Sequence, residues 1–397
     1  MKKLKICYLT QQYGNFISGV GTYSTNLINS IADKGHFVTV VCPNEDKREF
    51  ANPKINLIEV ERKNWDLSHG SWFTLSFQFS QALKKLLKQD NFDIIHFADA
   101  REFFWTNLFY RKKNKTIVIG TMHDYTFMKA NCNPFFYKKL YNDWIKRYFY
   151  YNFVKYTEKS CLNNLDSLAS VSESIKEKLK DNYKIDDKKI SVVYNSIFLK
   201  SNPDKINNKE ERERVILIVG NNLQRKGIIV LFKAFVKLQE KYPDLKILAI
   251  GQDINKKYLE SLVKDMSIEK RVEFVDTKPN EYILEKMREA SLYVMPSLSE
   301  GFGITFLEAM ACGTPVIGGN IGGTRELIKD GGNGFLVNPG DYKDLADKIS
   351  ILLDDDNVRN RFVQNGLETV KNFSVEKMAK KTSSLYEKII GNKSNEF

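Results

Sequence analysis

Short apolar runs alternate with amphipathic stretches along most of the chain. Runs such as KICYLT, HFVTVVCP, FDIIHF and SLASVS predict strands, and TYSTNLINSIADKG, with apolar residues at helical spacing, predicts a helix between the first two. Apolar runs of this kind are typical of strands that are buried on both faces. The alternation therefore predicts parallel sheets covered by helices.

The pattern occurs twice, separated by the polar and charged stretch SNPDKINNKEERER. A chain of 397 residues is also long for one core. The predicted fold class is α/β, with two Rossmann-like, doubly wound domains facing each other across a cleft. The boundaries are residues 1–200 for the N-terminal domain, 201–214 for a linker and 215–372 for the C-terminal domain, and a last helix in 373–397 packs back on the N-terminal domain.

The composition adds few constraints on the class of protein. No apolar run approaches the roughly 20 residues that span a bilayer, and the apolar part of MKKLKICYLTQQYG is too short for a signal peptide. The five cysteines are scattered without a CxxC pair, which favours a reducing cytoplasm over a disulfide framework. With four histidines, a metal centre built from several of them is not expected.

The formal net charge of +12 needs a separate explanation. It would attract a nucleic acid, an anionic membrane or a phosphorylated substrate. The alternative is a lysine-rich composition spread over solvated faces.

The stretch SGVG, Ser18 to Gly21, follows the first predicted strand. Gly19 and Gly21 let the backbone approach a ligand, and the helix N-terminus behind them favours an anion. The stretch is not GxGxxG, so an NAD fingerprint is not supported. A tight turn without a ligand is the alternative.

The loop NNLQRKG follows the first strand of the second half. Arg225 and Lys226 lie there at the carboxyl edge of a sheet, where their charges and hydrogen bonds suit a diphosphate. A solvated pair of charges is the alternative.

The stretch SEGFGITFLEAMACGTP, Ser299 to Pro315, carries the most specific pattern. Gly301 and Gly303 let the loop press against a ligand, and Glu300 can accept hydrogen bonds from vicinal hydroxyls. Glu300 is expected to face ligand and not core.

The same stretch continues into a predicted helix whose first N–H groups, at Ile304 and Thr305, are free to hold phosphate. Glu308 lies one turn further on the same face and can bind a second diol. A diphosphate flanked by two polyols describes a nucleotide sugar. Two helix-end glutamates in solvent are the alternative.

These motifs resemble the donor-site signature of the retaining glycosyltransferases of family 4, which have the GT-B fold. The E-x7-E spacing is Glu300 to Glu308, and the likeness continues through GGNIGGTRELIKDGGNGFLVNPGD. It extends to VGNNLQRKG, VSESIKEKL, VVYNSI, TMHD and GVGTYSTNLINSIADKGHFVTVV, and so covers nearly the whole chain. It is more specific in the C-terminal half.

The resemblance implies an acceptor-side N-terminal domain and a nucleotide-sugar-binding C-terminal domain. It implies that Glu300 contacts the donor sugar, that Ile304 and Thr305 bind phosphate, and that Glu308 binds the ribose. The backbone from Gly301 through Phe302 to Gly303 would assist Glu300. Lys226 would neutralise the leaving diphosphate in place of a metal ion. His123, in TMHD, would lie beside the reacting sugar.

Three positions depart from the family pattern. Asn221 stands where many members have arginine, so either Arg225 supplies that charge or the affinity for the diphosphate is lower. Ser18 replaces the first glycine of the usual pair. Ser196 replaces the glycine of the common NG turn.

The implied activity is hexosyl transfer, retaining and metal-independent, in the synthesis of cell-surface glycan, polysaccharide or glycolipid. The expected partners are a nucleoside-diphosphate sugar (UDP- favoured over GDP-) and a glycan or lipid-linked acceptor, with no cofactor and no nucleic acid. The basic, aromatic segment Asn133–Ser160 suits an anionic membrane surface, an acceptor platform, or a core helix pair with snorkelling lysines. The protein is expected in the cytoplasm, peripheral at the inner face of the plasma membrane.

Two other functions fit the same fold. One is a nucleotide-sugar isomerase or epimerase, which would act on the sugar without an acceptor. The other is a non-catalytic, nucleotide-binding partner subunit. Intact Glu300, Lys226 and His123 disfavour the second.

Overall fold

The computed structural model describes residues 3–14, 18–44, 48–61, 71–109, 116–124, 144–197, 213–253 and 255–394. These residues form two compact units. The first contains the described residues up to Asp124, those from Trp144 to Ser196, and the C-terminal helix Val375–Ser394. The second contains the described residues from Ile197 to Ser374.

The sheet of the first unit has seven strands in the order β3-β2-β1-β4-β5-β6-β7, and every neighbouring pair is parallel. The chain thus builds one side of the sheet from the centre and then crosses to the other side, as in doubly wound folds. The strands are β1 Lys5–Leu9, β2 Phe37–Pro43, β3 Asn56–Val60, β4 Ile94–Phe97, β5 Ile117–Met122, β6 Ser167–Ser170 and β7 Ile190–Val192.

The helices of the first unit cover this sheet, and α1 packs against α6 of the same unit, the C-terminal helix. Their apolar faces share one core, which includes Tyr8, Leu27, Ile94, Met378 and Tyr386. The helices of this unit are numbered first, so the C-terminal helix is α6 and the second unit begins with α7. They are α1 Gly19–Asp33, α2 Ser71–Gln89, α3 Phe104–Phe109, α4 Trp144–Asn164, α5 Glu173–Tyr183 and α6 Val375–Ser394.

The second unit repeats the design with six parallel strands in the order β10-β9-β8-β11-β12-β13. The strands are β8 Glu213–Val219, β9 Lys246–Ile250, β10 Val272–Val275, β11 Ala290–Met295, β12 Val316–Gly319 and β13 Phe335–Val337. Its helices are α7 Ile228–Leu238, α8 Lys256–Asp265, α9 Asn280–Glu289, α10 Ile304–Ala311, α11 Thr324–Leu327, α12 Tyr342–Asp354 and α13 Asp356–Val370.

The predicted site residues follow the carboxyl ends of strands in both units. His123 comes directly after β5, Lys226 follows β8 and Glu300 follows β11. Loops at this edge of a parallel sheet are where open α/β folds bind ligands.

The predicted strands and helices occur close to their expected bounds, and the differences are local. The short strand β7 was not predicted, since its three residues ISV carry too little pattern. The predicted linker 201–214 lies outside the described residues except for Glu213 and Arg214, which begin β8.

Two further features concern the class of protein. Cys7, Cys42, Cys161 and Cys312 are buried free thiols, whereas Cys132 lies outside the described residues. Among the helices of the described residues, none is both long and apolar enough to cross a bilayer.

Candidate functional site

A buried ion pair lies at the carboxyl edge of the second unit's sheet. Lys226 Nζ donates to Glu300 Oε2 over 2.6 Å, and the two residues are only 9% and 7% exposed. The lysine stem lies across Gly220, where a Cβ would come within 3.1 Å of it. Glu300 therefore faces Lys226 in a nearly closed position.

The charge state of Glu300 follows from these neighbours. Burial opposes its ionisation, but the charges of Lys226 and Arg225 and the hydrogen bonds from Lys226 and the Gly301 N–H outweigh it, so the pKa of Glu300 is lowered. The site holds a carboxylate and not a carboxylic acid. An ammonium has three donors and a carboxylate about four acceptor positions, so the bond between Lys226 and Glu300 does not by itself use all of either group.

The glycine loop that follows Glu300 ends in an uncapped helix. Gly303 has φ +100° and makes no side-chain cap for α10. Within the described residues, no protein acceptor is found for the N–H groups of Ile304 and Thr305. Such N–H groups at the positive end of a helix dipole suit phosphate oxygens.

The side chains around this helix start are held by the core. The Tyr293 hydroxyl donates to Thr305 Oγ1 over 2.8 Å. Phe302 is buried and its ring packs edge-on against Phe373, with centroids 5.7 Å apart. The Phe302 side chain therefore packs in the core and supports the loop from that side.

A second glycine pair, which the sequence reasoning did not single out, supports the loop. A Cβ on Gly322 would lie 1.8 Å from the Glu300 carbonyl oxygen, and one on Gly323 would lie 2.4 Å from that of Gly301. The Gly323 N–H also donates to the Glu300 carbonyl over 3.3 Å. The two loops can approach this closely only without side chains. In the sequence, the adjacent glycines in NIGGTREL were the pattern that could have indicated this close contact.

Glu308 lies one turn after Ile304 on α10 and is 8% exposed. Burial raises the pKa of Glu308 to about 7, while a hydrogen bond from the Asn280 side chain opposes this shift. Asn280 is the first residue of α9. No sequence signal linked it to Glu308.

Arg225 and Asn221 both form hydrogen bonds with other groups of the protein. Arg225 Nη1 donates to the Ser299 carbonyl over 2.7 Å, which ties the lysine loop to the loop before Glu300. Asn221 is exposed, and its side-chain oxygen accepts from the Gln252 N–H over 3.3 Å. Arg225 thus has a structural partner in addition to any charge it offers to a ligand.

In the first unit, Ser18 is the N-cap of α1 and its hydroxyl accepts from the Gly21 N–H over 3.1 Å. The serine that replaces a family glycine therefore caps the helix. Gly19 is exposed, whereas Gly21 is buried. Ser196 is fully buried, and its hydroxyl contacts Met378 of the C-terminal helix.

His123 belongs to the first unit and lies just beyond β5. Its Nε2 is 2.9 Å from the Ala98 carbonyl oxygen. Arg101 lies nearby, ion-paired with Asp99 and, over 3.0 Å, with Asp124. Burial lowers the pKa of His123 and outweighs the opposing effect of the two carboxylates.

The structure thus brings Lys226, Glu300, the Gly301–Gly303 loop, Ile304 and Glu308 together in the second unit. His123, Gly19 and Gly21 belong to the first unit. The part of the segment Asn133–Ser160 before Trp144 lies outside the described residues.

Family models match both halves of the chain. The model for glycosyltransferase family 4 matches residues 17–200, and the model for glycosyl transferases group 1 matches residues 200–369. An uncharacterized glycosyltransferase of Methanocaldococcus jannaschii is 28% identical over 407 residues, covering 96% of this chain and 98% of that protein.

Solved structures with the same fold include two with named ligands or activities. Sucrose-phosphate synthase from Thermosynechococcus elongatus superposes with a TM-score of 0.80 at 22% identity, covering 98% of this chain and 100% of that one. The Anabaena protein HepE in complex with UDP-glucose gives 0.73 at 16% identity, covering 97% and 100%. The chain belongs to the family 4, group 1 glycosyltransferases, and its two parallel-sheet α/β units have the GT-B fold.

Proposed function

We propose that this glycosyltransferase moves a hexose-type sugar from a nucleoside-diphosphate sugar, UDP- favoured over GDP-, to a glycan or lipid-linked acceptor. The transfer retains the anomeric configuration and needs no bound metal ion. The observation that carries the proposal is the buried Lys226–Glu300 pair beside the uncapped start of α10.

Each part of a nucleotide sugar has a suitable group in the second unit. The diphosphate lies against the N–H groups of Ile304 and Thr305 and the Lys226 ammonium. The sugar hydroxyls donate to the Glu300 carboxylate, which is ionised because of its cationic neighbours. The ribose diol binds Glu308. A UDP-glucose complex of the structurally similar Anabaena protein supports a donor of this class.

In the proposed reaction, the bond between the anomeric carbon and the β-phosphate oxygen breaks while the acceptor oxygen bonds to the same face of that carbon. The acceptor proton passes to the leaving phosphate, so no separate base is needed. Negative charge grows on the diphosphate, and fixed donors there stabilise the transition state electrostatically. Lys226 supplies the positive charge, and Glu300 positions the sugar. His123 contacts the reacting sugar.

The acceptor is proposed to be presented at an anionic membrane. The described part of the segment Asn133–Ser160 belongs to α4, where Phe153 and Tyr156 are 60% and 74% exposed. Exposed rings on a chain of formal charge +12 suit the headgroup region of an anionic surface.

A donor panel tests the proposal. UDP-, GDP- and ADP-hexoses are screened by thermal stabilisation, and the best donor is then assayed for hydrolysis and transfer, with and without EDTA. We expect stabilisation by a UDP-sugar through mass action and full activity in EDTA. Activity that is lost in EDTA and restored by a divalent ion would contradict the metal-free mechanism. Conversion of the sugar nucleotide to an isomer, without an acceptor, would indicate an isomerase or epimerase, and binding without turnover would indicate a partner subunit.

A further inference from the structure

Five buried side chains of the first unit form one continuous chain of hydrogen bonds. Tyr8 and Tyr386 share a bond through their hydroxyls, and Tyr386 contacts His96 Nδ1 over 2.7 Å. His96 Nε2 contacts Thr121 Oγ1 over 2.8 Å, and Thr121 contacts the Tyr23 hydroxyl over 2.8 Å. All five residues are at most 1% exposed. The chain begins on the C-terminal helix and β1 and ends on α1.

The sheet register explains why these residues meet. Tyr8 of β1 lies opposite His96 of β4, and their rings stack with centroids 5.0 Å apart. Burial and, to a smaller extent, the neighbouring His123 lower the pKa of His96 to about 3, so the network is neutral. Buried polar groups that are fully hydrogen-bonded fix a single arrangement of their side chains.

The network ends against His123. His123 follows β5 directly, two positions after Thr121 of that strand. The Tyr23 ring meets the His123 ring edge-on, with centroids 4.7 Å apart and an angle of 77°. Tyr23 also lies one turn after Gly19 on α1. One tyrosine therefore joins the glycine turn to the histidine.

The Ala98 carbonyl oxygen determines which ring nitrogen of His123 carries the proton. A carbonyl oxygen only accepts, so the contact with Ala98 places the proton on Nε2. In the neutral ring, Nδ1 is then an acceptor, and no hydrogen bond to it is found within the described residues.

We infer that Tyr23, held by Thr121 and His96, is a positioning residue that keeps the His123 ring in the orientation in which Nε2 donates to the Ala98 carbonyl oxygen and Nδ1 is the acceptor offered to the donor sugar. The inference rests on the proposed function for the role of His123. It gives a role to Tyr23, Thr121 and His96, which lie outside the motif Ser299–Pro315. Tyr23 acts through the T-shaped contact of the two rings and is itself oriented by the Thr121 hydroxyl.

The test uses the full chain with Tyr23→Phe, which removes the bond between Tyr23 and Thr121, and with Thr121→Val, which removes the bonds of Thr121 to both Tyr23 and His96. Thr121→Ser keeps the hydroxyl and serves as the rescue variant. Tyr13→Phe is the matched control, because Tyr13 is also buried in this unit and its hydroxyl donates to Asn29 over 2.6 Å outside the network. Two readouts are compared: kcat against donor KM, and the tautomer of His123 from proton–nitrogen correlation spectra of isotope-labelled histidines. Four histidines keep the spectrum simple, and His123→Asn assigns the signal.

We expect Tyr23→Phe and Thr121→Val to lower kcat by about tenfold with donor KM nearly unchanged, since a misplaced contact costs rate more than binding. Both variants should shift His123 from one tautomer to a mixture, whereas Thr121→Ser and Tyr13→Phe should behave like the wild type. Unchanged kcat and tautomer would overturn the inference. A lower kcat without a tautomer change would also overturn it, because the effect would not pass through the imidazole.

The failure of the proposed function is distinguishable from these outcomes. A fully active His123→Asn variant would remove His123 from the reaction. The tautomer measurement on the donor-free protein would still decide whether Tyr23 positions the ring.

Discussion

The two units hold their predicted site residues in different ways. In the second unit, Lys226 and Glu300 are opposite charges paired over 2.6 Å in a nearly closed position. In the first unit, His123 is neutral and is held by a carbonyl oxygen and a T-shaped contact with a tyrosine ring. Removing one member of a buried ion pair leaves a charge without compensation, whereas changing a neutral contact alters mainly geometry. The second unit should therefore respond to substitution in both stability and rate, and the first mainly in rate.

The largest effect is expected at the ion pair. Lys226→Met and Glu300→Gln should each lower kcat by about 10²–10³-fold, because leaving-group stabilisation or sugar positioning is lost. Each should also lower the free energy of unfolding by about 3–5 kcal/mol, since the remaining partner stays buried. The double variant should recover much of this stability and none of the activity. Turnover and urea unfolding measure the two quantities.

An exposed pair of the same unit provides the control. Lys241 and Asp354 are also 2.6 Å apart, but their side chains are 59% and 49% exposed. Lys241→Met should leave both the unfolding free energy and turnover nearly unchanged, since exposed ion pairs contribute little to stability. Single variants of the buried pair that were as stable as the wild type would contradict the comparison.

The next effect concerns the glycine that supports Glu300. Gly322→Ala places a Cβ 1.8 Å from the Glu300 carbonyl oxygen, so the loop must move. We expect kcat/KM to fall by up to about 10²-fold, the size associated with a displacement near 1 Å. Steady-state kinetics with the best donor measures this.

Gly331→Ala separates displacement from backbone strain. Gly331 has φ +70° and Gly322 has φ +57°, but a Cβ on Gly331 meets no atom within 4 Å. Both alanines carry a left-handed penalty of roughly 1–2 kcal/mol, and only Gly322→Ala should lose activity. Equal losses in the two variants would attribute the effect to strain alone.

The sequence predicted the parts of the molecule that depend on local pattern. Apolar runs gave the strands, and the spacing from Ile304 to Glu308 gave one face of α10, because the helical period is a local property. The uncapped start of that helix followed from Gly303.

Contacts between distant residues could not be predicted in this way. Lys226 and Glu300 are 74 positions apart, and His96 and Tyr386 are 290 apart. Their meeting depends on strand order and loop packing, which no local period encodes. For the same reason the sequence did not show that Glu300 is buried or that Gly322 touches it.

A smaller effect is expected from the titration of Glu308. Its pKa is raised to about 7, and its carboxylate is the form that accepts hydrogen bonds from a ribose diol. The affinity for UDP-glucose should therefore fall as the pH drops, by about tenfold from pH 8 to pH 6. Calorimetry at several pH values measures this, and a sugar nucleotide avoids titration of a terminal phosphate. In Glu308→Gln the affinity should be lower and independent of pH over this range.

The same group should affect stability in the opposite direction. Between its ordinary pKa of 4.5 and about 7, the folded protein holds a proton that the unfolded chain has lost. Stability should thus fall as the pH rises through this window, by up to about 3 kcal/mol. Glu308→Gln should remove this slope, while Glu368→Gln, at an exposed surface position, should leave it unchanged. A wild-type slope that persisted in Glu308→Gln would assign it to another group.

The smallest effect concerns the proposed membrane contact of the first unit. Phe153 and Tyr156 lie three positions apart on α4, so both project from one side of the helix, and both are largely exposed. Replacing both with serine should lower binding to anionic liposomes by a few-fold, with the loss persisting at high salt because inserted rings are not screened. The matched control is Tyr258→Ser, which removes an aromatic side chain of the second unit that is 51% exposed. Sedimentation with anionic and neutral liposomes at low and high salt measures the effect. If the wild type did not sediment with anionic liposomes at low salt, its positive charge would be a property of composition, and the acceptor would be sought among soluble glycans.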